Sequence, residues 1–261
     1  MKHFQTLEKL CIENSDIQGI FCLEEHPIIG QQMSSSLQSL KLNNLHDLRY
    51  TFMGPKKFMS LQNVKTLQIE GCSKLKVVFS ASVLRSLPQL TYLEISNCEG
   101  LHKIMEDNEE NQRQTVPQSQ LICFPKLVAL IIKSCHSLKS LISVTTFQEF
   151  PKLELMIIKE ASQLDDMFIS EPHDEIPKQK LRLPKLKYLV LMQLPNLTDP
   201  SQHMELQNVT YSIVDHCPNL SFDSTTTLDD LQNILEGMHF IYHNCLRIKK
   251  TFSYCNFHGI N

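Results

Sequence analysis

The sequence predicts an α/β solenoid: a right-handed, curved stack of about eight short repeats. A parallel β-sheet would line its concave face and irregular returns its convex one. Three observations predict this. Apolar residues recur at one fixed spacing along most of the chain. Leucine supplies 37 of the 261 residues. Glycine is scarce, with 7 present where average usage would give about 18.

The spacing is clearest at Val64-x-x-Leu67-x-Ile69-x-x-Cys72-x-x-Leu75. Taken in chain order, the array opens loosely at Leu7, Leu10, Ile12 and Ser15. It continues at Leu37, Leu40, Leu42, Leu45 and Leu48, and then through the template. Next come Leu90, Leu93, Ile95, Cys98 and Leu101, then Leu127, Leu130, Ile132, Cys135 and Leu138. Leu153, Met156, Ile158, Ala161 and Leu164 make the sixth copy, and Leu186, Leu189, Leu191, Leu194 and Leu197 the seventh. Val209, Ser212, Val214, Cys217 and Leu220 close it. Inside each copy the L-x-L core alternates with period two, the mark of a short strand with one buried face. No copy can bury its leucines alone; stacking makes one continuous core. Phe/Leu-Pro pairs precede four copies, at Leu87-Pro88, Phe124-Pro125, Phe150-Pro151 and Leu183-Pro184. Parallel neighbours are joined by returns rather than tight hairpins, so few positive-φ glycines are expected.

The returns read as irregular. Ser82–Leu87 suits a helical turn, while Ile20–Ser36, His102–Gln120 and Asp165–Lys180 are long and polar and suit solvated loops. Thr227–Gly237 has a threonine N-cap, early acids and a closing glycine, which predicts a short helix capping the array. The division expected is therefore a solenoid over 1–222 and a cap helix with an undefined tail over 223–261. The first motif opens almost at Met1, leaving no room for an N-terminal cap. That predicts a fragment, a truncated product, or an end that docks on something else.

Composition excludes some functions. With a net charge of −3 there is no footprint for nucleic acid or an anionic membrane. The seven glycines lie too far apart for either a dinucleotide or a nucleotide-triphosphate phosphate loop. Nine cysteines, none in C-x-x-C, with no signal peptide and no membrane span, predict a reducing cytosolic or nuclear setting. Three N-x-[ST] triplets, at Asn196, Asn208 and Asn219, are discounted on the same ground. Cys72, Cys98, Cys135 and Cys217 share one repeat slot and so read as a buried ladder rather than a zinc site. His239-x-x-x-His243-x-Cys245 has metal-compatible spacing on a helix, but no fourth ligand is in view. His136 and His216 adjoin ladder cysteines without an oxyanion donor, and the acidic pairs at Asp165 and Asp229 read as solvated or helix-capping. No enzyme, cofactor or metal is expected.

Binding chemistry is expected on the concave face, from side chains alternating with the buried ones. The first half of that face is polar: Lys9, Cys11, Glu13, Ser39, Lys41, Asn43, Thr66, Gln68 and Glu70. The second half is aliphatic and aromatic. The residues expected to contact a protein partner are Tyr92, Glu94, Ile131, Lys133, Leu155, Ile157, Lys159, Tyr188, Val190, Met192, Tyr211 and Ile213. An exposed apolar strip of that size exceeds what monomers tolerate, and its tyrosines suit an interface anchor. The competing readings are that the C-terminal tail or a long loop covers the strip, that β-propensity alone selected it, or that the strand register differs from the one read here.

The run Phe124-Pro-Lys-Leu-x-x-Leu-x-Ile-x-x-Cys-x-x-Leu-Lys139, repeated in weaker form over about residues 4–222, resembles the leucine-rich repeats of plant intracellular disease resistance proteins of the coiled-coil, nucleotide-binding class. The resemblance implies a horseshoe that contributes to ligand specificity and holds a nucleotide switch inactive until a pathogen effector is sensed. It implies protein partners: an effector, a guarded host protein or a nucleotide-binding receptor module. The coiled coil and the nucleotide-binding module are absent from this chain, and so is the L-x-G-x-I-P motif of extracellular plant repeats. F-box substrate receptors of ubiquitin ligases also carry cysteine-ending repeats; their usual C-x-x-[IL]-[TS]-D continuation is missing here.

Overall fold

The computed structural model describes residues 6–22, 36–53, 61–79, 87–105, 124–143, 150–169 and 180–237. Long and short strands alternate along it: β1 (Lys9–Glu13), β2 (Gly19–Cys22), β3 (Ser39–Asn43), β4 (Tyr50–Met53), β5 (Thr66–Glu70), β6 (Val77–Phe79), β7 (Tyr92–Ser96) and β8 (Lys103–Met105). The second half continues with β9 (Ala129–Lys133), β10 (Ile142–Ser143), β11 (Leu155–Lys159), β12 (Phe168–Ile169), β13 (Tyr188–Met192) and β14 (Tyr211–Asp215). A helix, α1 (Leu228–Gly237), ends the described chain.

The eight five-residue strands form one parallel sheet in the order β1-β3-β5-β7-β9-β11-β13-β14. They are the eight predicted L-x-L segments, and equivalent positions face each other without a slip: Leu40 opposite Leu67, Leu67 opposite Leu93, Ile132 opposite Ile158. One core lies on one side of this sheet. Leu40, Leu67, Leu93, Leu130, Met156 and Leu189 form one column and Leu42, Ile69, Ile95, Ile132, Ile158 and Leu191 the next, all at most 2% exposed. Each contributes about 1.5–3 kcal/mol by leaving water.

The described parts of the returns do not confirm the helical content of the α/β expectation. They carry short strands in parallel pairs, β2–β4, β6–β8 and β10–β12, so the described repeats are mostly two-stranded. The described helix is confined to α1 and a 3-10 turn at Pro200–Gln202. Thr51 on β4 is buried and donates its hydroxyl to the Val78 carbonyl on β6, bridging two of those pairs. The helical turn read over residues 82–87 lies almost wholly outside the described residues, as do most of the long polar returns and the tail after residue 237.

Two turns define each repeat. The Phe/Leu-Pro pairs open β-turns, as the Leu127 amide donates to the Phe124 carbonyl at 3.0 Å and Leu186 to Leu183 at 3.1 Å. Proline is suited to the second position because its φ is already set. The Cys-x-x-Leu stretch is a second turn, with Leu101 donating to Cys98 and Leu138 to Cys135, both at 3.1 Å. The ladder thiols are all buried, and each donates to the carbonyl two residues back: Cys98 to Ser96 and Cys135 to Lys133, both at 3.4 Å.

Between strand and turn every repeat passes through a left-handed residue: Asn14, Asn44, Gly71, Asn97, Ser134, Glu160, Gln193 and His216, with φ between 51° and 68°. Positive φ thus recurs at this one slot in all eight repeats, and Phe124, φ 46°, is a ninth such residue among those described. Asparagine, which tolerates this conformation, fills three of the first four slots and glycine the other. The asparagine triplets also have structural roles. Asn196 donates to the Ser162 carbonyl at 2.7 Å and Asn219 to Pro195 at 3.3 Å, each pinning one repeat to the one before.

The last strand would present bare backbone, and hydroxyls satisfy it. The Ser212 amide donates to Thr225 Oγ1 at 2.7 Å and the Val214 amide to Ser224 Oγ at 2.8 Å. Thr225 Oγ1 in turn donates to the Thr210 carbonyl at 3.1 Å. Covering an edge in this way blocks further pairing. At the other end β1 pairs only with β3 among the described residues, and Leu10 and Ile12 are partly buried.

Candidate protein-binding face

Odd and even positions of a strand point to opposite faces, so the residues between the core leucines share the sheet's other face. All twelve predicted contact residues lie there, on β7, β9, β11, β13 and β14. Cross-strand register aligns them in columns. Tyr92, Ala129, Leu155, Tyr188 and Tyr211 form the first; Glu94, Ile131, Ile157, Val190 and Ile213 the second; Ser96, Lys133, Lys159, Met192 and Asp215 the third.

The strip is not open surface. Leu155 and Val190 are 0% exposed, Ile157 1%, Ile131 and Tyr92 2%, and Ile213 4%. They form a second apolar cluster, separate from the main core, which also contains Leu231 of α1, with Leu228 packed against it. The helix expected as an end cap therefore places Leu228 and Leu231 on the sheet's face, and the hydroxyl clamp covers the end. An exposed hydrophobic strip is corrected to a buried one, because its apolar area is removed from water by packing within the chain. Substituting Ile157 or Val190 by glutamate would consequently bury a carboxylate rather than edit a surface.

At the boundary between the polar and apolar halves sits Glu94, 6% exposed. Its Oε1 accepts from Lys133 Nζ at 2.6 Å, and its Oε2 from the Tyr92 hydroxyl at 2.8 Å and Gln68 Nε2 at 2.9 Å. Burial alone would raise its carboxyl pKa, but the Lys133 charge and these hydrogen bonds outweigh it and hold the group below its ordinary value. Lys159, also 6% exposed, pairs with Glu160 at 3.1 Å. Tyr188 stacks on Tyr211 with ring centroids 5.3 Å apart and planes 8° from parallel. Burial, followed by neighbouring Tyr211 and Glu154, raises the Tyr188 pKa.

The accessible part of this face is the polar half. Lys9, Cys11 and Glu13 are exposed, and Ser39, Lys41, Asn43, Thr66, Gln68 and Glu70 are half-buried. Glu13 Oε1 collects the Cys11 thiol at 3.2 Å, Lys41 Nζ at 3.1 Å and Asn43 Nδ2 at 3.2 Å. Those hydrogen bonds, with the Lys41 charge, lower its pKa to about 2. This patch offers donors, acceptors and both charges on three neighbouring strands, a surface suited to polar recognition. Sequence reasoning named these residues but placed the site on the apolar half. It also missed the packing of Ala129, Leu228 and Leu231 with the strip, and the Ser212–Thr225 clamp. The serine-threonine run at 224–227 was the available signal for the clamp.

The metal-compatible His239, His243 and Cys245 lie outside the described residues. Among the described residues no helix is long and apolar enough to cross a membrane.

The family model described as plant disease resistance protein RPS2-like, leucine-rich repeats, aligns with residues 1–99 and 101–238. Among curated proteins and among solved structures, none matches the chain.

Proposed function

This chain belongs to the RPS2-like leucine-rich repeat family of plant disease resistance proteins, and from that premise we propose that it is a non-catalytic protein-binding module of a plant defence response. It would act in the cytosol or nucleus, recognising a pathogen effector or a guarded host protein, or holding a nucleotide-binding switch inactive. The observation that supports binding is the open polar half of the outer sheet face. Nine side chains from β1, β3 and β5 stand there in strict register, exposed or half-buried. Rigid strands hold their donors and charges at fixed spacing, which lowers the entropy lost on binding.

The test is affinity capture of the intact chain from plant tissue, beside a chain carrying Lys41→Glu and Glu70→Lys. The reading expects a nucleotide-binding receptor, or another defence protein, to be retained by the native chain and lost from the variant. Equal recovery from both would overturn the assignment to this face, and recovery of a Skp1-type adaptor would move the chain to the ubiquitin-ligase class.

A further inference from the structure

We propose that α1 is an in-cis occupant of a helix-docking groove. It is seated on the apolar strip by Leu228 and Leu231, and an amphipathic partner helix of the same chemistry, a Leu-x-x-Leu face beside acidic residues, replaces it. The proposal deepens the reading of the chain as a binding module and rests on it.

Three features of the fold carry it. First, the strip and the main core are different clusters on opposite faces of one sheet. The main columns are buried from the other side, so departure of α1 leaves them closed. Second, the outward column is apolar only where the helix's cluster lies. Cys11, Lys41 and Gln68 occupy it on β1, β3 and β5, whereas Ile131, Ile157, Val190 and Ile213 occupy it on β9, β11, β13 and β14. Strand propensity acts on all eight strands alike, so a change confined to one half points to something seated there.

Third, α1 is short, capped and tethered. It has 10 residues, a length that is marginal for a helix standing alone. Its start is well made: the Asp230 amide donates to Thr227 Oγ1 at 3.2 Å, and Asp229 and Asp230 lie in the first turn, where acids suit the helix dipole. Just upstream, Ser224 and Thr225 are fastened to β14. A detached α1 would stay tethered at Thr226–Thr227, close enough to compete with an incoming helix. The Tyr188–Tyr211 stack in the same cluster is the kind of aromatic anchor such a helix uses.

Two measurements on the intact chain decide it. In native hydrogen exchange, α1 amides should exchange through their own opening, about 100-fold faster than those of β11 and β13; exchange at one common rate would overturn the proposal. A labelled synthetic peptide spanning residues 224–237 should bind the Leu231→Asp chain at least about tenfold more tightly than the native chain, whose groove is occupied. The same peptide carrying Leu231→Asp should not bind. Equal binding by both chains or both peptides would overturn the proposal. So would loss of the sheet in the Leu231→Asp chain, since the main core must survive the helix's departure. None of these failures touches the capture experiment with the Lys41 and Glu70 variant, which tests the open polar half.

Discussion

Lys133→Met isolates the buried charge at the middle of the outer face. In the native chain the Glu94 and Lys133 side chains are 8% and 15% exposed and 2.6 Å apart. Removing the ammonium leaves the carboxylate, among the described residues, with Tyr92 and Gln68 as donors. Breaking a buried pair from one side costs roughly 3–5 kcal/mol, and the residual exposure of Lys133 argues for about 3. The pH dependence carries the sharper signature. In the native chain the Glu94 pKa lies below its ordinary 4.5, so its contribution is present above that value and lost as pH falls. Without Lys133, burial dominates and the pKa moves above 4.5, so the variant should become more stable as pH falls from 7 toward 5. Urea unfolding at several pH values, with the Glu94→Gln/Lys133→Met double variant, reads both effects. The double variant should recover most of the loss at pH 7. A single variant that loses under about 0.5 kcal/mol, or shows the native pH slope, would refute the reasoning.

Other consequences are equally local. Gly100→Ala would drive its Cβ into the backbone carbonyl of Ser73 in the preceding repeat, and a drop of about 2–3 kcal/mol is expected in thermal melts. Gly71→Ala brings its Cβ against the Asn44 side-chain oxygen and within 3.3 Å of the Asn44 Cα, and it sits at φ 68°, so a loss of about 1–2 kcal/mol is expected. At the exposed left-handed Gln193, φ 55°, replacement by asparagine should stabilise by about 0.5 kcal/mol, whereas Asn97→Val should cost about 1–2 kcal/mol. Ser212→Ala removes a hydroxyl that donates to the Asp223 carbonyl at 2.9 Å and accepts from the Thr225 amide at 3.2 Å. A loss of about 1–3 kcal/mol is expected, with hydrogen exchange at β14 accelerating more than at β5.

The period-two leucines made the main sheet legible to the residue, because a slip by one would turn every core side chain to water. The ladder cysteines were legible for the same reason, since one slot recurs in one environment. The return strands were not. Val77–Phe79 and Lys103–Met105 are too short to show alternation, and their pairing is set by the stacking of their neighbours. Nor was the left-handed position, because serine, glutamate and glutamine at 134, 160 and 193 carry no αL preference and are held there by the repeat. On the outer face the sequence told polar from apolar correctly but could not tell exposed from covered. Leu228 and Leu231 reach the strip through tertiary contact alone, and nothing in L-D-D-L specifies its destination.

The division of that face into an open polar half and a covered apolar half is tested most directly by hydroxyl-radical footprinting of the native chain, read residue by residue by mass spectrometry. Tyr50, 51% exposed on a return strand, serves as the internal reference against Tyr92 at 2%, Met192 at 3% and Tyr188 at 8%. The account predicts rapid modification of Tyr50, with Tyr92, Tyr188 and Met192 protected in the native chain. Oxidation of Met192 and Tyr188 as fast as Tyr50 would contradict it.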